Sequence, residues 1–255
     1  MLKNLFPRLV TGSLAAALLL AQGSQPTPKS QKESDALNAM FQAADNDGRI
    51  KAANELLTKF ADTDFKGLAL YMITNSYSEK RDATNTIVYG ERTVEADGKS
   101  ALGAHARIMI ATSLATTTKE FDFDKEEKLG RADKLSKEAI EVLKTAPKFN
   151  PGLTDEQWAG ARNGYVAEAY IALGMTATVR KNWPEAMANY KTATETDPSN
   201  SATFVRLGAA QLSASKHDDA IATLDKVMAM PGVDPAIMNY AKSEKEKAMK
   251  AKGAK

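Results

Sequence analysis

Residues 167–200 read AEAYIALGMTATVRKNWPEAMANYKTATETDPSN, and residues 201–234 read SATFVRLGAAQLSASKHDDAIATLDKVMAMPGVD. Tyr170, Leu173, Gly174, Ala186, Tyr190 and Ala193 return 34 residues later as Phe204, Leu207, Gly208, Ala220, Leu224 and Val227. A fixed period of this length marks a stack of supersecondary units rather than one irregular core. Within the first unit, Tyr170, Leu173 and Gly174 share one helical face. Gly174 costs about 1 kcal/mol of helix propensity against Ala, so a packing reason is needed. A second helix crossing at that point supplies one, and small Ala186 is the expected residue opposite. Pro184 falls in the first turn of this second helix, where its missing N–H does no harm. Ala186, Tyr190 and Ala193 continue its apolar stripe. Asp197-Pro198-Ser199-Asn200 ends it.

This pattern resembles the tetratricopeptide-repeat family, whose units place Leu-Gly and an aromatic on a first helix and a small residue, an aromatic, Ala and Pro on a second. The match is close over 167–200 and good over 201–234, where the closing proline is displaced to Pro231. It weakens over 67–100, through Leu70, Ile73, Thr74 and Tyr77, then Thr86, Gly90 and Thr93. Residues 34–66 fit through Leu37, Met40, Ala44, Ala53, Leu57 and Phe60. Residues 101–153 read as a unit with an insertion over 116–134. The expected fold is therefore all-α, with units 34–66, 67–100, 101–153, 154–200 and 201–234 and a capping helix over 235–251. The resemblance implies a right-handed superhelix whose concave surface is lined by the first helix of each pair.

The chain's N-terminus points to a compartment. Lys3 and Arg8 precede a short run of small and apolar residues over 9–21, and no acid occurs before Glu33. This order reads as an export signal over 1–23 with cleavage near Ala21-Gln22-Gly23, followed by a Pro/Ser/Gln linker over 24–33. An uncleaved anchor is the alternative. Cysteine is absent, which removes disulfides, thiolate metal sites and lipid attachment through Cys. The expected location is periplasmic or secreted.

Charge argues against nucleic acid. Lys and Arg number 34 and Asp and Glu 32; Lys3 and Arg8 account for the difference, so the remainder is neutral and lacks an electropositive excess. The basic run over 242–255 suits a helix C-terminus.

Several fragments imitate chemical motifs. Asp45-Asn46-Asp47-Gly48 resembles the centre of a calcium loop, yet Ala43 and Asn54 stand at its first and last ligand positions. Gly98-Lys99-Ser100 resembles the end of a phosphate-binding loop, but the preceding segment is helical. His105 and His217 lie in different units without metal-site spacing and read as ordinary helix or turn residues. Asp122, Asp124, Glu126 and Glu127 read as the acidic start of a helix. Phe121 and Phe123 among them are expected to pack back onto Leu129, the alternative being a small hydrophobic anchor on a loop. Neither a catalytic residue, a metal nor a cofactor is expected.

The functional expectation is a non-enzymatic scaffold that grips a protein or peptide. The resemblance assigns its groove to Tyr71, Met72, Asn75 and Ser78, to Ile171, Met175 and Thr178, and to Val205, Arg206, Ala209 and Leu212. Members that hold acidic C-terminal peptides use several Lys and Asn residues there. Only Arg206 and Asn75 are candidates here, so that specialised activity is not expected. A self-associating structural subunit and an unrecognised enzyme are the alternatives.

Overall fold

The computed structural model describes residues 26–253, which form eleven helices and no strand among the described residues. They are α1 (Gln31–Gln42), α2 (Asn46–Lys59), α3 (Lys66–Glu79), α4 (Ala83–Asp97), α5 (Ala101–Thr117), α6 (Lys125–Thr145), α7 (Asp155–Val179), α8 (Trp183–Thr196), α9 (Ser201–Ser213), α10 (His217–Ala229) and α11 (Pro235–Gly253). Each helix packs on the next, so five consecutive pairs are closed by α11. The segment read as an export signal lies outside the described residues.

Local chemistry sets the helix starts. Ser30, Asp45, Asp82, Ser100, Thr154, Asn182 and Asn200 each turn a side-chain oxygen onto the backbone N–H three residues on. This satisfies one of the donors that a helix start leaves free. Thr154 and Gln157 complete a reciprocal capping box. Asp45, whose fragment imitates a calcium loop, is thus the cap of α2. Ser100 likewise caps α5, and Gly98 merely ends α4.

Three of the turns inside pairs share one backbone solution. Arg81, Lys181 and Ser215 have φ of 59°, 57° and 60°. The residue after each donates its N–H five residues back: Asp82 to Tyr77, Asn182 to Ala177, and Lys216 to Gln211. These are the bonds that close a helix through a left-handed residue, a place that glycine usually takes.

Two expectations need correction. The linker does not extend to residue 33, because α1 begins at Gln31 and Glu33 is buried. The Glu33 carboxylate accepts from the Lys29 backbone N–H and the Thr63 hydroxyl, both at 2.5 Å, which fastens the chain entry to the α2–α3 turn. The insertion is mostly helix: α5 runs on to Thr117 and α6 starts at Lys125, leaving only 118–124 as loop.

The core is a chain of overlapping clusters. Leu37, Met40, Ala53, Leu56, Ala69 and Ile73 join α1, α2 and α3. Ala104, Ile108, Ala139, Leu143, Trp158 and Ala169 join α5, α6 and α7. Ala177, Ala186, Tyr190, Leu207 and Ala210 join α7, α8 and α9. Val205, Leu224, Val227 and Ala241 join α9, α10 and α11. Each helix pair completes its core only with its neighbour, the property of a repeat stack. The first helices α3, α5 and α7 also pack directly on one another. The second helices have no comparable packing; α4 and α6 share an ion pair between Glu91 and Arg131. Helices α3, α5 and α7 thus form one continuous layer.

Candidate functional site

On this layer, three helices bring four polar and aromatic side chains together. Tyr71 of α3 places its hydroxyl 2.9 Å from His105 Nδ1 of α5. On the other side of the ring, Glu168 Oε2 of α7 lies 3.1 Å from His105 Nε2. Tyr165 of α7 stacks on the imidazole, with centroids 4.3 Å apart. A carboxylate can only accept, so a neutral ring carries its proton on Nε2 and takes the Tyr71 O–H at Nδ1. Burial pushes the Tyr165 hydroxyl up to about 12, and it raises Tyr71 well above the ordinary tyrosine value. Both hydroxyls therefore remain protonated.

This cluster leaves His105 a helix residue of α5 and buries it among polar partners. It also fixes the fate of Tyr71, which forms part of the floor with buried Ala106 and Met109 rather than a free groove surface. The signal for the pairing was in the sequence: Tyr71 and His105 are 34 residues apart, so the repeat period itself makes them neighbours. Nothing comparable announced Tyr165 and Glu168, since the lengthened α6 displaces the register of α7.

The other expected groove residues divide into floor and rim. Asn75 is buried, and its amide donates to Glu79 Oε1 at 2.9 Å. Met72 is half-buried against Ala69, Ile73 and Tyr71. Val205 is buried in the last core cluster, which corrects its assignment to the groove surface. Ile171 and Met175 are half-buried against Tyr190 and Leu207. Ala209 is half-buried, and Arg206 is exposed.

Around Arg206 a second polar group forms. The Thr178 hydroxyl donates to the Gly174 carbonyl at 2.8 Å and meets the Tyr190 hydroxyl at 3.1 Å. Burial raises the Tyr190 hydroxyl, while the Thr178 hydrogen bond and the nearby Arg206 charge pull it back. Of the two cues for binding an acidic peptide, Asn75 is thus occupied by Glu79 and Arg206 alone is presented.

The remaining motifs assemble no site. Among the described residues no group of three or more His, Asp or Glu is placed to hold a metal ion. No described helix is long and apolar enough to cross a membrane. Phe121 and Phe123 are exposed, contrary to the expectation that they fold onto Leu129, whose side chain is fully buried without them.

No protein-family model and no curated protein sequence matches the chain. Solved structures do. The crystal structure of TTC0263, a thermophilic TPR protein of Thermus thermophilus, superposes with a TM-score of 0.58 at 16% identity, covering 83% of this chain and 98% of that one. The TPR2AB-domain:pHSP90-complex of yeast Sti1 gives a TM-score of 0.31 at 16% identity, covering 86% and 97%. The first likeness shows a tetratricopeptide-like fold, and the all-helical paired architecture agrees with it.

Proposed function

We propose that the chain is a non-enzymatic protein-interaction scaffold that seats a peptide or helix against the face formed by α3, α5, α7 and α9. The observation that carries this reading is the division of that face. Tyr71, His105 and Tyr165 form a hydrogen-bonded, stacked floor. Exposed Arg206 stands beside the Tyr190–Thr178 pair, next to half-buried Ile171, Met175 and Ala209. A firm floor reduces the ordering cost of binding. Methionine adapts to varied apolar partners, and an amphipathic segment is the ligand form such grooves take. Arg206→Ala is expected to leave the melting temperature unchanged. It should weaken capture of the partner isolated by affinity purification by about tenfold or more, as loss of an arginine anchor does. Equal capture by the variant would remove the groove's main polar support.

The Glu168–His105–Tyr71 connection favours one other reading, because carboxylate, imidazole and hydroxyl occur in that order in acid–base relays. Its geometry weighs against catalysis. Tyr71 is buried with its hydroxyl held protonated. The surrounding backbone N–H groups lie within helices, where they are already bonded and cannot stabilise an oxyanion. The cluster is accordingly assigned to stiffening the groove floor.

The proposed place of action is the bacterial cell envelope, in the periplasm or beyond. This rests on the order of charge and apolar residues over 1–23. N-terminal sequencing of the mature protein is expected to start near residues 22–24. Recovery of Met1 in a carbonate-resistant membrane fraction would establish an anchored protein.

A further inference from the structure

The loop over 118–124 holds two aromatic rings away from the chain. Phe121 is 91% exposed and Phe123 106% exposed, so neither ring packs on its own molecule. The backbone between them is fixed. Asp122 Oδ2 accepts from the Lys119 N–H at 2.9 Å, and the Lys125 N–H donates to the Asp122 carbonyl at 3.1 Å. The flanks are fixed as well, since Glu120 pairs with Lys181 at 2.6 Å and Glu126 with Arg180 at 2.8 Å, both just beyond α7. The phenyl rings therefore project from a base that has little backbone order left to gain on binding.

The charges around the rings cancel. Residues 119–128 hold five acids, Glu120, Asp122, Asp124, Glu126 and Glu127, and three lysines, to which Arg180 and Lys181 add two cations. Asp124 pairs with Lys128 at 2.9 Å, and Asp122 lies 4.0 Å from the same ammonium. Four of the five carboxylates are thus matched within the molecule, and five cations face five anions. Such a collar carries no net charge to select a charged partner or to be repelled by one. Size narrows the occupant further. Two exposed phenylalanines offer about 400 Å² of apolar surface, half of the roughly 800 Å² that each side of a specific protein contact buries. Exposed Lys119, Glu120 and Glu127 keep that apolar area from extending. A small apolar projection within a neutral polar collar suits a medium that opens around it. The headgroup–acyl boundary of a bilayer is such a medium, and apolar side chains reach about 5–10 Å into it while charged neighbours stay at the headgroups.

We infer that Phe121 and Phe123 insert into the interface of a phospholipid bilayer and hold the protein reversibly at a membrane surface. A single acyl chain already gives only marginal attachment, and two phenyl rings bury less, so the contact forms and breaks readily. It is separate from the groove face and does not depend on it.

Vesicle flotation tests the assignment. The described core clusters draw on residues 36–241, so a chain starting at residue 24 keeps them, and its use takes the apolar run over 9–21 out of the measurement. This parent chain is expected to float with phosphatidylcholine vesicles and to stay with them at about 1 M salt, where charge attraction is screened. Phe121→Ser/Phe123→Ser alters exposed rings only, so it should melt as the parent does while vesicle binding falls roughly tenfold or more. In Phe123→Trp, lipid brominated on its acyl chains is expected to quench emission beyond the quenching of Trp158 and Trp183 in the parent. A parent chain that fails to float would overturn the inference and leave the rings to the cleft of a protein partner. Equal flotation of the serine variant, or no added quenching in Phe123→Trp, would overturn it as well.

Discussion

Gly174 shows how far one residue can be read. Its place on the apolar face announced close helix contact, and the contact exists. A Cβ built there would lie 2.4 Å from the Tyr190 ring. The expected partner was Ala186, and that detail was not legible, because which residue lies over a glycine depends on the crossing of the two helices. At Gly208 the corresponding Cβ would lie 2.8 Å from Leu224 Cγ. These partners differ in how they can yield. The Tyr190 ring is flat, buried and held by Thr178, while a leucine can change rotamer. Alanine adds about 1 kcal/mol of helix propensity at either site, and overpacking costs about 1–3 kcal/mol. Gly174→Ala is therefore expected to destabilise the protein by roughly 1–2 kcal/mol, and Gly208→Ala to be close to neutral. Urea unfolding of the two variants measures the difference; a gain in stability for Gly174→Ala would contradict the close contact.

Elements were less legible where their lengths depart from the repeat. Residues 116–134 were too long for a turn, but the excess is taken up by a longer α6 and by a longer α5. That choice depends on α7, which gives the extended α6 its partners. Arg180, at the end of α7, reaches Glu126 at 2.8 Å and Asp133 at 2.7 Å on α6. The same Asp133 accepts from the Thr176 hydroxyl at 2.5 Å. No local pattern could show these pairs, whose members stand more than forty residues apart. They do make a pH dependence. The Arg180 hydrogen bond holds the Glu126 carboxyl below its ordinary value of 4.5. A folded-state value below the unfolded one adds stability that is fully present above the unfolded value and is lost as pH falls through the folded one. Glu126→Gln should thus melt slightly below the wild type at neutral pH, with the gap closing as pH drops below about 4. The effect is small and salt-sensitive, since Glu126 is largely exposed. Thermal melts across that range decide it; a gap that persists undiminished in acid would show that Arg180 does not act through the Glu126 charge.

For the whole molecule, the repeat period carried most of the architecture. A 34-residue spacing with a small residue in each helix implies paired helices in a stack, and that stack is present. Its capping helix is present too, with Ala241 and Ala248 inward and the lysine-rich face outward. The packing of α3 on α5 and of α5 on α7 decides which residues form floor and which form rim. Tyr71, Asn75 and Val205 have the repeat positions of groove residues and are buried. Arg206 has the same kind of position and is exposed. By itself the sequence determined the helical class and the pairing order, because these depend on residues a few positions or one period apart. Only the tertiary structure decided that Tyr165 and Glu168 join the Tyr71–His105 pair, which residue packs over Gly174, and the outward stance of Phe121 and Phe123. Each of these depends on how neighbouring helices cross and where a lengthened helix finds its contacts, which no short-range pattern records.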